Sequence, residues 1–307
     1  MTVADLQSFG FGRVPDLAAL CESVSELAKG GTKFVLLAGG TDFMVEQEMR
    51  RPYASPDEMP FVIDVSRMPE LRGIEETSDW LRIGAATTFL EMRRSPLVLR
   101  RTPMIARMAA DVGAIQIQAR GTFGGNLATA SPAADGVAAL AAYDAVIVVR
   151  SARGTRAIPF AEYATGYKTT TRAEDEVIVR VDLPLRAEPD SATAAERPFW
   201  YWRKIGTRKA QAISKVALAG VAVVSGDQVT RCGLGMASVG PTTALLGRTR
   251  ELFLSTPLSK IDDVALGKAV DADISPIDDV RSTRAYRGHV ARAAVAELAR
   301  GLRSAAS

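Results

Sequence analysis

The chain has 307 residues, of which 47% are hydrophobic and 24% charged, with a formal net charge of +3, the balance of a folded protein large enough for more than one domain. Lys and Arg are scattered rather than clustered, which removes the electrostatic footprint of a nucleic-acid binder, and the longest apolar runs, FVLLA and AVIVV, are too short to span a bilayer. Two distant cysteines and a single histidine exclude a disulfide framework, an iron–sulfur cluster and a transition-metal ligand set, so difficult redox chemistry here requires an organic cofactor.

MTVADLQSFG lacks the basic region and apolar stretch of a signal peptide, so a cytoplasmic location is expected. Leu17, Leu20, Val24 and Leu27 keep helical spacing, with Pro15 expected in the first turn and Gly30-Gly31 as the stop. Phe34 to Ala38 is a short apolar run suited to a buried strand; it feeds through GGTD into FMVEQEMRR, which is predicted helical. After a surface loop at PDEMP, FVIDV (61–65) is the next strand, and residues 73–87 are predicted as a hairpin turning at Ser78-Asp79. Thr102-Pro103 opens a helix whose Ile105, Met108, Ala109 and Val112 share a face.

GTFGGNLATASPAADG (121–136) follows as a Gly-rich connection. Val146 to Val149 is a buried strand, and Val177 to Leu183 alternates as a strand ending at Pro184. RAEPDSATAAER (186–197), small, polar and Pro-containing, reads as a linker. Beyond it FWYWRKIG, VALAGVAVV and CGLGMASV are strand-like, and two helical stretches close the chain, the last with Ala291, Val295, Leu298 and Leu302 on one face. Cys21 and Cys232 are expected as buried free thiols, and His289, near the start of the last helix, as structural.

Two segments carry chemistry. LLAGGTDF (36–43) is a strand running into two glycines, whose backbone turns sharply and leaves room for an anion against the N–H groups, with the Thr41 hydroxyl as a further donor. A helix N-cap by Thr41 or Asp42 accounts for the same residues without a ligand. A nucleotide P-loop needs a Lys after the glycines, and the G-x-G-x-x-G spacing of the Rossmann turn is absent, so any phosphate site is of another class. In the second segment Thr122, Thr129 and Ser131 supply hydroxyls, Asn126 an amide, and Gly124-Gly125 a close backbone approach, while Asp135 is an acceptor suited to a ribose hydroxyl. Two such segments in a chain without metal ligands point to a pyrophosphate clasped from both sides.

LLAGGTDF followed about eighty residues later by GTFGGNLATASPAAD resembles the FAD-binding subunit of the molybdenum hydroxylases, the family of xanthine, nicotinate and carbon monoxide dehydrogenases and hydroxybenzoyl-CoA reductase. VIDVSRMPEL, GYKTTTRAEDEVIVRVDLP, RKIGTRKAQAISKVALA and DDVRSTRAYR extend the resemblance, in family order, over nearly the whole chain. It implies an α+β fold: a two-subdomain FAD-binding unit of the vanillyl-alcohol oxidase type (residues 1–57 and 58–185), then a C-terminal antiparallel sheet-and-helix domain (198–307) of the CO dehydrogenase flavoprotein type. Carried across, Leu37, Ala38, Gly39, Gly40, Thr41, Asp42 and Phe43 would wrap the pyrophosphate. Thr122, Phe123, Gly124, Gly125, Asn126, Thr129 and Ser131 would hold its other side, and Asp135 the ribitol or ribose. Ile178 would pack against the flavin system, Lys204 would reach FAD from the third domain, and Tyr167 would lie near the ring. The chain departs from the family at Gln118-Ala119, where Arg-Asn is common, and at Ala210-Gln211-Ala212, where an acidic pair is common; the second departure bears on the acceptor-side electrostatics.

The function implied is electron transfer within a multi-subunit oxidoreductase. Iron–sulfur clusters and a molybdopterin centre would sit on partner subunits, and FAD on this chain would pass electrons to NAD+ or another acceptor. Xanthine or a related purine is the first expectation for the organic substrate, whose pocket would lie on another chain. The alternative is a stand-alone flavin oxidase of the vanillyl-alcohol oxidase class, which needs an acid/base set or a His or Cys flavin tether. A scaffolding subunit that has lost its flavin is the third reading, and the two intact Gly segments speak against it.

Overall fold

A computed structural model describes residues 10–50, 59–185, 196–209 and 211–306. The readings of the first nine residues, of the start of PDEMP, of the 186–195 part of the linker and of Ala210 lie outside them. The first unit contains β1 (Phe11–Gly12), α1 (Leu17–Lys29), β2 (Phe34–Leu37), α2 (Phe43–Arg50) and β3 (Phe61–Asp64), its strands forming a parallel sheet of order β1-β3-β2. The Asp16 carboxylate caps α1 by accepting from Ala19 N at 2.8 Å, so Pro15 stands one residue before the cap rather than in the first turn. Leu17, Leu20, Cys21 and Val24 turn inward as their spacing requires.

The second unit runs through β4 (Ile74–Glu76), β5 (Trp80–Gly84), α3 (Phe89–Arg94), α4 (Pro96–Arg101), α5 (Pro103–Ala110), α6 (Ile115–Arg120), α7 (Phe123–Ala128) and α8 (Asp135–Ala142). It continues with β6 (Val146–Ser151), β7 (Gly154–Pro159), α9 (Phe160–Tyr163), the hairpin β8 (Ala164–Gly166) and β9 (Thr169–Thr170), and β10 (Val177–Pro184). The main sheet is antiparallel, of order β4-β5-β10-β6-β7. Leu81, Ile83, Ile147 and Val149 from its strands pack with Phe89, Met92, Met108 and Leu140 from the helices in one core.

β10 does not alternate simply between core and solvent. Its register against β6 slips between Ile178 and Arg180, so Val179 is an extra residue in the ladder. The bulge resets the period of two: Ile178, Val181 and Leu183 face the helices, while Val177 and Val179 enter the core around α1. One strand thereby joins the first unit to the second. α3 begins with a full capping box, Thr88 accepting from Glu91 N and Glu91 accepting from Thr88 N. Thr88→Ala is expected to lower stability by about 1 kcal/mol, read as a lower urea midpoint at unchanged slope.

The third unit is the antiparallel sheet β11 (Glu196–Ile205), β12 (Val216–Ser225) and β13 (Gln228–Ala237), followed by α10 (Gly247–Ser255), α11 (Asp263–Asp273) and α12 (Arg284–Ala306). VALAGVAVV is apolar throughout because β12 is covered twice. Ala217, Ala219 and Val221 join the core that includes α8, while Leu218, Ala222 and Val224 meet Val295, Leu298 and Leu302 of α12. Both cysteines are free and buried, and burial pushes the Cys232 thiol up to about 12, which leaves it inert. Among the described residues no helix is long and apolar enough to cross a membrane.

Candidate functional site

β2 ends at Leu37, whose carbonyl accepts from Val65 N, and the chain turns through Ala38 to Asp42 into α2. Gly40 sits at φ +75°, the left-handed region that side chains avoid. Gly39 has no room for a side chain, since a Cβ there would lie 2.0 Å from the Arg120 carbonyl oxygen. The turn of α2 is already closed by Met44 N donating to Gly40 O and Glu46 N donating to Asp42 O. Among the described residues the backbone N–H groups of Gly39, Gly40, Thr41 and Asp42 have no partner within the chain. Gly39, Gly40 and Thr41 are half-buried and Asp42 is exposed, a row of donors at the start of a helix, the arrangement that receives an anion.

The second Gly-rich segment differs from its expectation. It is helical, not a loop: α7 starts directly after Thr122, whose hydroxyl caps it by accepting from Gly125 N at 3.1 Å. Phe123 N donates to Thr87 O, Gly124 N to Ala85 O and Asn126 N to Thr122 O, so its backbone donors are committed within the chain. Gly124 is small for the same reason, because a Cβ there would meet Ala85 Cβ at 2.5 Å. Phe123 is fully buried, edge-on to Phe89 with ring centroids 6.3 Å apart, and its side chain is core. What this segment offers outward is side-chain chemistry. Asn126 Oδ1 accepts from Gly136 N at 3.1 Å, which fixes its amide and leaves Nδ2 as a donor. The Thr122 and Ser131 hydroxyls accept from backbone N–H groups and keep their own protons to give, whereas Thr129 donates to Asn126 O at 2.8 Å.

The two segments touch. Gly39 rests on Arg120, and the Thr41 hydroxyl is 3.5 Å from where a Gly121 Cβ would stand. Beside them lies a mostly apolar cleft of about 280 Å³, lined by Leu36, Ala38, Ala85, Gly124, Gly125 and Ile178 among others. The β10 bulge is what turns Ile178 toward it. Arg172 also lines the cleft, held by donation to Glu176 O at 2.5 Å; it falls within GYKTTTRAEDEVIVRVDLP, which carries the resemblance but singles out no arginine for the site.

Asp135 and Lys204 find each other. Lys204 Nζ donates to Asp135 Oδ2 at 2.6 Å and to Asp111 O at 2.9 Å, and the Ser214 hydroxyl donates to Asp135 Oδ1 at 2.7 Å. Burial pushes the Asp135 carboxyl above its ordinary value, against the Lys204 ammonium and the Ser214 hydroxyl that hold it ionised. Within this chain the two residues therefore form a buried bridge between the second and third units, where the sequence reading had each reaching separately for a ligand. Tyr167 is 66% exposed on the β8–β9 hairpin; desolvation and the nearby Glu46 push the Asp42 carboxyl above its ordinary value, and the Lys168 charge on that hairpin opposes them. Phe43, the first residue of α2, is half-buried.

A second, basic pocket of about 300 Å³ opens next to Lys204, with Arg107, Arg203, Arg208 and Lys209 around it and the uncharged Gln211 and Ala212 on its wall. His289 is exposed on α12, and neither it nor the two thiols line the apolar cleft. Among the described residues no group of His, Cys, Asp and Glu could hold a metal ion.

Residues 8–186 match the family model described as the FAD binding domain in molybdopterin dehydrogenase, and residues 201–302 match the CO dehydrogenase flavoprotein C-terminal domain. The chain is 30% identical to the carbon monoxide dehydrogenase medium chain of Hydrogenophaga pseudoflava, over 87% of this chain and 88% of that one. It is 31% identical to the nicotinate dehydrogenase FAD-subunit of Eubacterium barkeri, over 73% of each. With a putative xanthine dehydrogenase FAD-binding subunit of Escherichia coli it shares 26% identity over 92% of each. Among solved structures it superposes on a carbon monoxide dehydrogenase from Hydrogenophaga pseudoflava with a TM-score of 0.85 and 27% identity, covering 97% of this chain and 98% of that one.

Proposed function

This chain belongs to the family of FAD-binding subunits of molybdenum-containing dehydrogenases, and on that premise we propose that it is the electron-transfer subunit of a multi-subunit oxidoreductase, receiving electrons from iron–sulfur clusters on one partner and delivering them to NAD+ or another acceptor. A molybdopterin centre on a further subunit would oxidise the organic substrate, with xanthine or a related purine the first to test. The same reading divides the chain into 1–57, 58–185 and 198–307, although β3 (Phe61–Asp64), beyond the first boundary, pairs with β1 and β2 in the first sheet.

The observation that carries the proposal is the row of partnerless N–H groups from Gly39 to Asp42 beside an apolar cleft. The residues fit a dinucleotide flavin: donors without acceptors at one end, and an uncharged wall of Ala38, Ala85 and Ile178 beside them. Bound FAD supplies redox chemistry that exchanges electrons singly with clusters and in pairs with a nicotinamide. The chain's part is to hold and orient it. The Gly39–Asp42 N–H groups and the Thr41 hydroxyl bind the pyrophosphate, whose negative charge makes such bonds charge-assisted. Asn126 Nδ2 and the Thr122 and Ser131 hydroxyls add donors from the facing segment. Ile178 excludes water from the flavin side of the cleft. The basic pocket beside Lys204 supports an anionic acceptor such as NAD+: Arg107, Arg203, Arg208 and Lys209 surround it, and the Asp111 carboxylate on its wall is paired with Arg107.

The test is co-purification with neighbouring subunits, followed by an optical spectrum. Flavin absorbance alone is expected in the isolated chain, and flavin with iron–sulfur bands in the complex. A chain and a complex that both lack FAD would overturn the assignment. NADH formation, compared with dye and oxygen reduction by the same complex, identifies the acceptor.

A further inference from the structure

The segment DDVRSTRAYR (278–287) lies far from the cleft in sequence, yet its last residue is a buried cation. Arg287 is 4% exposed. Asp279 is the hub of a tight turn, its Oδ1 accepting from Arg281 N at 2.9 Å, from Ser282 N at 3.0 Å and from Arg287 Nη2 at 2.7 Å. The other arm of the guanidinium, Nη1, donates to Ser238 O at 2.6 Å, deep in the interior. Ser238 follows β13 at φ +67°, a left-handed conformation that a serine holds only when its surroundings impose it.

Ser238 then reaches the proposed flavin site along two routes. Its N–H donates to Pro132 O at 2.8 Å, within the ASPAAD run. Its hydroxyl donates to Ser214 O at 3.0 Å, and the Ser214 hydroxyl donates to Asp135 Oδ1 at 2.7 Å. Ser238 and Ser214 are both buried, at 5% and 1% exposure, so water does not substitute for a lost bond. Every link from Asp279 to Asp135 is a hydrogen bond of ordinary length, and both ends of the 131–135 run are held from the third unit.

We propose that Arg287 is a positioning residue for the flavin site: anchored by Asp279, its guanidinium holds Ser238 left-handed and thereby sets the Ser131–Asp135 segment against bound FAD. This rests on the reading of that segment as a flavin contact. A fork is needed because one donor must reach a carboxylate and another a carbonyl on a different element, a task for a guanidinium and not for an ammonium.

The experiment compares the purified complex carrying wild-type chain with Arg287→Met, Arg287→Lys and Ser238→Gly. Three readouts are followed: the rate of FAD release, the visible circular dichroism of the bound flavin, and exchange of the Ser238 amide hydrogen. Arg287→Met is expected to release FAD about tenfold faster, to change the flavin dichroism and to expose the Ser238 amide. Arg287→Lys recovers part of each change, because the ammonium reaches one partner at a time. Ser238→Gly tolerates the positive φ and loses only the hydroxyl route, so it gives a smaller change in release with the amide still protected. Unaltered dichroism and release in Arg287→Lys and Ser238→Gly overturn the proposal, and these two variants decide it if Arg287→Met does not fold. A wild-type complex without FAD overturns the functional assignment instead; Ser238 amide protection that is unchanged in Arg287→Lys then sinks the positioning role by itself.

Discussion

Gly39→Ala is expected to abolish FAD retention while the rest of the chain stays folded. A single Cβ would stand 2.0 Å from the Arg120 carbonyl oxygen, and backbone cannot yield as a flexible side chain does. The 38–42 turn must move away from Gly121, and its row of N–H groups moves with it. Losing two charge-assisted hydrogen bonds of about 1.5 kcal/mol each weakens binding on the order of 100-fold. Gly40→Ala acts differently, since its Cβ meets side-chain atoms alone, Leu37 Cδ1 at 3.3 Å and Met44 Cγ at 3.9 Å, and the main penalty is the positive φ, worth about 1 kcal/mol, so FAD binding is weakened without being lost. Flavin absorbance per chain after gel filtration, with far-UV circular dichroism as the folding control, separates the two. Full occupancy in Gly39→Ala would remove the turn from the flavin site.

Lys204→Met is expected to destabilise the chain by about 3 kcal/mol or more at neutral pH, because it strands the Asp135 carboxylate in a buried setting with Ser214 as its remaining side-chain donor. The pH dependence has a definite sign. The folded-state pKa of Asp135 is already raised by burial, and removing the ammonium raises it further. The folded variant then binds a proton that the unfolded chain has released, so the variant loses stability as pH rises from the ordinary carboxylate range toward the folded pKa, and recovers as pH falls. Urea unfolding at mildly acidic and neutral pH measures this. A deficit that does not shrink on acidification would show that Asp135 is not what the lysine compensates. Adding Asp135→Asn to Lys204→Met should restore much of the neutral-pH loss, since the uncompensated charge is gone.

Much of the fold is legible along the chain. α1, α5 and α12 follow from the spacing of Leu17, Leu20 and Val24, of Ile105 and Met108, and of Val295, Leu298 and Leu302, each a period that one helix face must bury. The motif pair carried the family, and with it the fold and the cofactor, which the comparisons bear out. α7 was not legible. Phe123-Gly124-Gly125-Asn126 contains two residues that disfavour a helix by about 1 kcal/mol each, and what overrides them is tertiary: Thr87 O and Ala85 O take the N–H groups, and Ala85 leaves no room for a larger residue than Gly124. The bulge in β10 was equally hidden, because Val177 to Leu183 reads as the same odd-numbered alternation whether or not Val179 is inserted.

The line between the two kinds of information runs through the site. A turn that needs Gly40 at positive φ and a donor row before a helix is a local requirement, met by residues adjacent in the chain, so LLAGGTDF declares itself without any fold. The reason Gly39 must be glycine is a carbonyl 81 positions further on, at Arg120, and the partner of Asp135 is a lysine 69 positions away. Such contacts leave no periodicity or spacing behind them. They arise only when separate units pack, because burial then demands that every charge and backbone group find its complement across the chain.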